Sequence, residues 1–157
     1  MGKLFMNQNE LRDFLISELS LLKQTVQKVD IELASLGSNQ PSDFQKAGFG
    51  AFLMNFYSGI ENILKQICRF EGISIPVGET WHIGLLKIFE NKLPSGHSLF
   101  TNIEILDIIK RYRNLRHVII HGYGIMLKWD LMIQPLKDLN IIFGKIEEEI
   151  KKYMDEL

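Results

Sequence analysis

The stretch Lys110-Arg111-Tyr112-Arg113-Asn114-Leu115-Arg116-His117-Val118-Ile119-Ile120-His121-Gly122-Tyr123 gathers four of the chain's 18 Lys and Arg residues and two of its four His. At about 100° per residue, Arg113, His117 and His121 climb one side of a helix within about 80°. Arg116 stands about 60° to the other side of Arg113, so the four share one arc of about 140°. Arg offers a planar fork to a phosphate. His titrates near neutrality and can take and return a proton. RNA carries its own nucleophile, the 2′-hydroxyl. A His that deprotonates it and an Arg that stabilises the charge developing on phosphorus make a site that needs no metal. Arg113 is angularly nearer His121 than Arg116 is, so either arginine is a candidate phosphate holder. The competing reading is a basic helix end favoured by the macrodipole, with His121 as a cap.

Other chemistries find little support. There is no P-loop, no GxGxxG and no Gly-x-Ser-x-Gly elbow. His117 and His121 have the i, i+4 spacing of a zinc pair, but His82, His97 and Cys68 stand in no recognisable ligand spacing. One cysteine excludes an internal disulfide framework and fits a reducing cytoplasm. Glu147-Glu148-Glu149 followed by Lys151-Lys152 reads as a solvated helix end, and His82 after Trp81 as a helix-start residue. No cofactor is called for. A net charge of −1 argues against a bulk nucleic-acid coat or a polybasic membrane anchor. No segment approaches a membrane span, and Met-Gly-Lys-Leu-Phe-Met has neither an apolar h-region nor the Ser/Thr of a myristoylation signal. The expectation is a cytoplasmic protein that does not engage membranes.

A chain of 157 residues with 46% hydrophobic and 24% charged side chains makes one globular domain over 1–157. Leu11, Leu15, Leu19, Leu22, Val26, Val29, Leu33 and Leu36 recur at three and four, predicting a helix over 8–36 that ends at Gly37-Ser38-Asn39-Gln40-Pro41. Ser42 or Asp43 can cap a second helix running to about Phe70, with Phe44, Phe52, Phe56, Ile60, Ile63, Leu64 and Ile67 apolar. Thr80 is placed to cap a short helix over 81–92. A helix from about 99 to 121 follows, with Gly122 and Gly124 suited to a left-handed exit. Trp129-Asp130 begins the last helix, about 130–156. Asp130 is also a candidate partner for Arg116. The fold class is all-α, an up-and-down bundle of four long helices plus one short one.

On the penultimate long helix, Ile105, Ile108, Tyr112, Leu115, Val118 and Ile119 form the expected core face. Leu106, Ile109 and Ile120 intrude on the cationic arc. Such a mixed surface suits a subunit interface, and a homodimer is expected.

Arg116-His117-Val118-Ile119-Ile120-His121-Gly122-Tyr123 fits the pattern Arg-x4-His-x-Tyr with a polar residue after the Arg. It resembles the HEPN superfamily of helical ribonucleases, and more closely the HepT-like toxins that pair with a minimal nucleotidyltransferase (MNT) antitoxin. Phe56-Tyr57-Ser58-Gly59-Ile60-Glu61, Trp81-His82-x-x-Leu85-Leu86 and Tyr123-Gly124-x-x-Leu127-x-Trp129-Asp130 extend the likeness over roughly 40–157. The resemblance implies an endoribonuclease toxin acting on tRNA or mRNA. Arg116 would hold the scissile phosphate, His121 would be the general base or acid, and His117 fills the polar position after the Arg. Tyr123 would be the tyrosine that the antitoxin modifies with AMP. Two copies of the motif would meet across a homodimer to form the RNA cleft. The other role open to such bundles is that of a non-catalytic binding module partnering a nucleotidyltransferase. Intact Arg116, His117, His121 and Tyr123 favour the enzyme.

Overall fold

The computed structural model describes residues 6–123 and 126–157. Five helices follow in order: α1 (Gln8–Leu36), α2 (Asp43–Glu71), α3 (Trp81–Ile88), α4 (Ile103–His121) and α5 (Trp129–Asp155). The expected all-α bundle of four long helices and one short helix is what forms. Each long helix packs on its neighbour along the chain, α1 on α2, α2 on α4 and α4 on α5, and α5 returns to α1. The expectations for residues 1–5 and for Gly124 lie outside the described residues. Among the described residues no helix is long and apolar enough to cross a membrane.

Local chemistry sets the ends. Asn7 caps α1 through a reciprocal box, its Oδ1 accepting from the Glu10 amide at 2.9 Å while its own amide donates to Glu10 Oε2 at 2.9 Å. Of the two candidates for α2, Ser42 is the cap, and it makes the same box with Gln45. Gly72, in the left-handed region at φ 74°, ends α2. The leucine stripe of α1 faces inward, with Leu11, Leu15, Leu19, Leu22, Val26 and Val29 buried. They meet Phe56, Ile60, Ile63, Leu64 and Ile67 of α2 in one core.

Four expectations are corrected. The short helix stops at Ile88, because Phe89 and Glu90 turn tightly onto the Leu86 and Lys87 carbonyls. Helix α4 starts at Ile103, where Asn102 Oδ1 accepts from the Glu104 amide; Leu99 and Phe100 enter the core from the preceding loop instead. Phe44 is 92% exposed, on the outer side of the first turn of α2 rather than in the core. Gly122 leaves α4 in an extended conformation, φ −104°, not a left-handed one. Its glycine serves proximity: a Cβ there would lie 3.0 Å from the Val118 carbonyl oxygen.

The faces of α4 also differ from the helical-wheel expectation. Leu106 and Ile109 are buried inside the protomer, while Val118 is 51% exposed. The bundle wraps further around the first half of α4 than an ideal wheel suggests, and less around its last turns. Ile120 is exposed as expected. Tyr112 is buried, and its hydroxyl donates to the Pro135 carbonyl oxygen at 2.7 Å, tying α4 to α5.

Candidate active site

Helix α4 packs on α2 and α3, and this packing places the motif. A cleft of about 270 Å³ is lined by Arg113, Arg116 and His117 from α4 together with Glu79, Thr80 and His82 from the start of α3. It is smaller than the ~300–1,000 Å³ of sites that enclose a drug-sized ligand. A surface cleft of this size suits part of a polymer, such as one phosphate with its sugar. A larger groove of about 400 Å³ runs between α4 and α5 past Ile108, Tyr112 and Pro135, and it holds none of Arg113, Arg116, His117 or His121.

The expected residues come together unequally. Arg113 and Arg116 are partly buried in the cleft wall, and His117 stands exposed at its edge. His121 does not line the cleft itself. One turn on, its ring lies 4.4 Å from that of His117, tilted by 58°. Tyr123, two residues beyond, is 77% exposed, whereas Tyr57, Tyr112 and Tyr153 are buried. Among the described residues Arg113 reaches only its neighbour, with Nη2 donating to Asn114 Oδ1 at 3.4 Å. Asp130 is not the partner of Arg116. The Arg116 Nη1 contact is His82 Nε2, at 3.3 Å.

That contact opens onto a group that the linear motif does not contain. His82 Nδ1 is bonded to Glu61 Oε2, and Glu61 is buried in the middle of α2. Tyr57, one helical turn earlier, is fully buried beside the same carboxylate. Burial, reinforced by the Glu61 charge, pushes its hydroxyl far above the ordinary tyrosine range. The Tyr57 hydroxyl and Arg116 Nε are buried without a hydrogen-bond partner among the described residues. Trp81 stacks on His82 with centroids 3.6 Å apart, and Lys65 Nζ sits 4.1 Å above the Trp81 ring. His82 is therefore more than a helix-start residue. The available signal was Glu61 itself, a carboxylate on the helical stripe of Tyr57, Leu64 and Cys68, where a charge is tolerated only with a partner.

An all-helical bundle with an arginine- and histidine-bearing cleft at the end of its fourth helix is the class these features define. The profile of one family, described as HepT-like protein, matches residues 48–157, and the chain belongs to that family within the HEPN superfamily. HepT-like proteins are of the HEPN toxin and ribonuclease kind. The match takes in most of α2 and all of α3, α4 and α5, and leaves α1 outside. Neither a curated protein nor a solved structure matches the chain.

Proposed function

We propose that this chain is a metal-independent endoribonuclease toxin of the cytoplasm, a single HEPN-like domain over 1–157, that cleaves cellular RNA, either tRNA or mRNA. In this reading Arg116 holds the scissile phosphate, and Arg113 and His117 bind the flanking backbone. His121 takes the proton of the 2′-hydroxyl as that oxygen attacks the adjacent phosphorus. The bond from phosphorus to the 5′-oxygen breaks, and the departing oxygen takes a proton. The products are a 2′,3′-cyclic phosphate and a 5′-hydroxyl. Two guanidinium groups beside the phosphate stabilise the charge that develops on its oxygens. The observation that carries this reading is the shared cleft of Arg113, Arg116 and His117, with His121 packed on His117.

Control is assigned to a nucleotidyltransferase (MNT) antitoxin. It transfers AMP from a nucleoside triphosphate to the Tyr123 hydroxyl, releasing pyrophosphate. The added phosphate then competes for the arginines as a tethered ligand. The active species is a homodimer with the motif helices near the two-fold axis. The test is cleavage of RNA in EDTA by the purified chain. Arg116→Ala and His121→Ala are each expected to lose about 10²–10⁴-fold of that activity, the usual worth of such groups. Activity that vanishes in EDTA and returns with a divalent metal overturns the mechanism. A wild-type chain that cleaves nothing, alone or freed of AMP, points to the non-catalytic partner of a nucleotidyltransferase.

A further inference from the structure

The cleft is backed by a three-residue chain whose direction is dictated by chemistry. Arg116 has only donors and stays protonated, so the His82 Nε2 it touches at 3.3 Å must be the bare, accepting nitrogen. The ring proton is then on Nδ1, where it is donated to Glu61 Oε2. Glu61 is 3% exposed, and an ionised carboxylate only accepts. It therefore selects the Nδ1–H tautomer, as a carboxylate behind an imidazole generally does. A buried carboxylate–imidazole pair is a weak source of stability, because desolvation offsets its attraction. Its effect here is orientation. Trp81, stacked on His82, holds the ring plane as well.

The guanidinium is thereby held through Nη1. Nη1 is engaged by His82, and Nε is buried away from solvent. Nη2, neither bonded to His82 nor among the buried unpartnered atoms, is the nitrogen that remains for a ligand. We propose that His82, oriented by Glu61, is a positioning residue that anchors Arg116 so that its Nη2 faces the RNA phosphate. The proposal rests on the ribonuclease reading for its consequence, but the anchor itself can be measured without any activity.

The first experiment is a long-range proton–nitrogen NMR spectrum of the full chain, with His82 assigned by comparison with His82→Gln. The expected result is a protonated Nδ1 and a bare Nε2 whose resonance moves in Arg116→Ala. A protonated Nε2, or a bare Nε2 indifferent to Arg116→Ala, overturns the proposal. The second is a double-mutant cycle on RNA cleavage. His82→Phe keeps the ring volume but loses both hydrogen bonds, and it is expected to lower kcat by roughly 10- to 100-fold, the scale of a misplaced catalytic group. His82→Gln, with an amide that can accept from Arg116 and donate to Glu61, recovers a large part of the loss. In an Arg116→Ala background, His82→Phe is expected to have no further effect; additive losses overturn the proposal. If His82→Phe does not fold, Glu61→Leu, which removes the acceptor of the Nδ1–H bond, takes its place in the cycle with the same expectation. A wild-type chain that cleaves no RNA yet shows the expected tautomer and its response to Arg116→Ala sinks the ribonuclease reading and upholds the anchor.

Discussion

In the proposed control by AMP transfer, Tyr123 is the residue modified. Of the chain's four tyrosines, Tyr57, Tyr112 and Tyr153 are each 4% exposed or less, while Tyr123 is 77% exposed. A transferase must reach the phenolic oxygen, so accessibility alone singles out Tyr123. Co-expression with the proposed nucleotidyltransferase antitoxin is expected to raise the intact mass by whole AMP units in the wild type and not in Tyr123→Phe. The modified chain should stay inactive after the antitoxin is removed. Modification mapped to Tyr57, Tyr112 or Tyr153, or neutralisation with no change of mass, contradicts the assignment. The residues with chemistry in their side chains were mostly legible as a linear motif, because Arg113, Arg116, His117 and His121 share one helix and its spacing. Glu61 and His82 were not, because His82 reaches Arg116 from α3 and Glu61 reaches His82 from α2. Periodicity records which face a residue occupies and carries no information about which distant side chain it meets there.

Helix boundaries follow from caps and from close approaches between elements. The 3/4 stripes made the extents of α1 and α2 legible, and capping chemistry at Asn7 and Ser42 fixed their starts. Periodicity alone starts α4 about four residues too early, since Leu99 and Phe100 are apolar enough to continue its pattern although they serve the core from a loop. Proximity explains a glycine better than torsion does at Gly59. A Cβ there would stand 2.5 Å from Leu22 Cδ2, so α1 and α2 approach each other through the missing side chain. Gly59→Val is expected to destabilise the protein by about 1–3 kcal/mol, the usual cost of overpacking, seen as a lower denaturant midpoint. Gly48 is the control, in the same helix with nothing within 4 Å of where a Cβ would stand. Gly48→Ala should leave stability unchanged or raise it by about 0.4–1 kcal/mol through the entropy of the unfolded chain. Equal effects at the two positions contradict the packing account.

At the scale of the molecule, the expected dimer rests on different residues from those that first suggested it. Leu106 and Ile109 are spent on the protomer's own core. Val118 and Ile120, interleaved with His117 and His121, remain 51% and 41% exposed. Ile16, Leu21 and Ile31 of α1 are exposed as well. Apolar side chains among the candidate site residues suit a two-fold contact that sets two motifs side by side. Light scattering at micromolar concentration should give twice the 18.2 kDa of one chain, falling toward 18.2 kDa in Val118→Glu. A wild-type mass of 18.2 kDa contradicts the dimer.

In the proposed reaction, RNA supplies the nucleophile and α4 supplies the proton acceptor and the phosphate clamp. The termini of the cleaved RNA report this directly. Mass spectrometry of the fragments formed in EDTA is predicted to show a 2′,3′-cyclic phosphate on one side of the break and a 5′-hydroxyl on the other, with no cut at a position carrying a 2′-deoxyribose. Fragments ending in a 3′-hydroxyl and a 5′-phosphate would mean that water or a metal-bound hydroxide attacked instead, and would contradict the account.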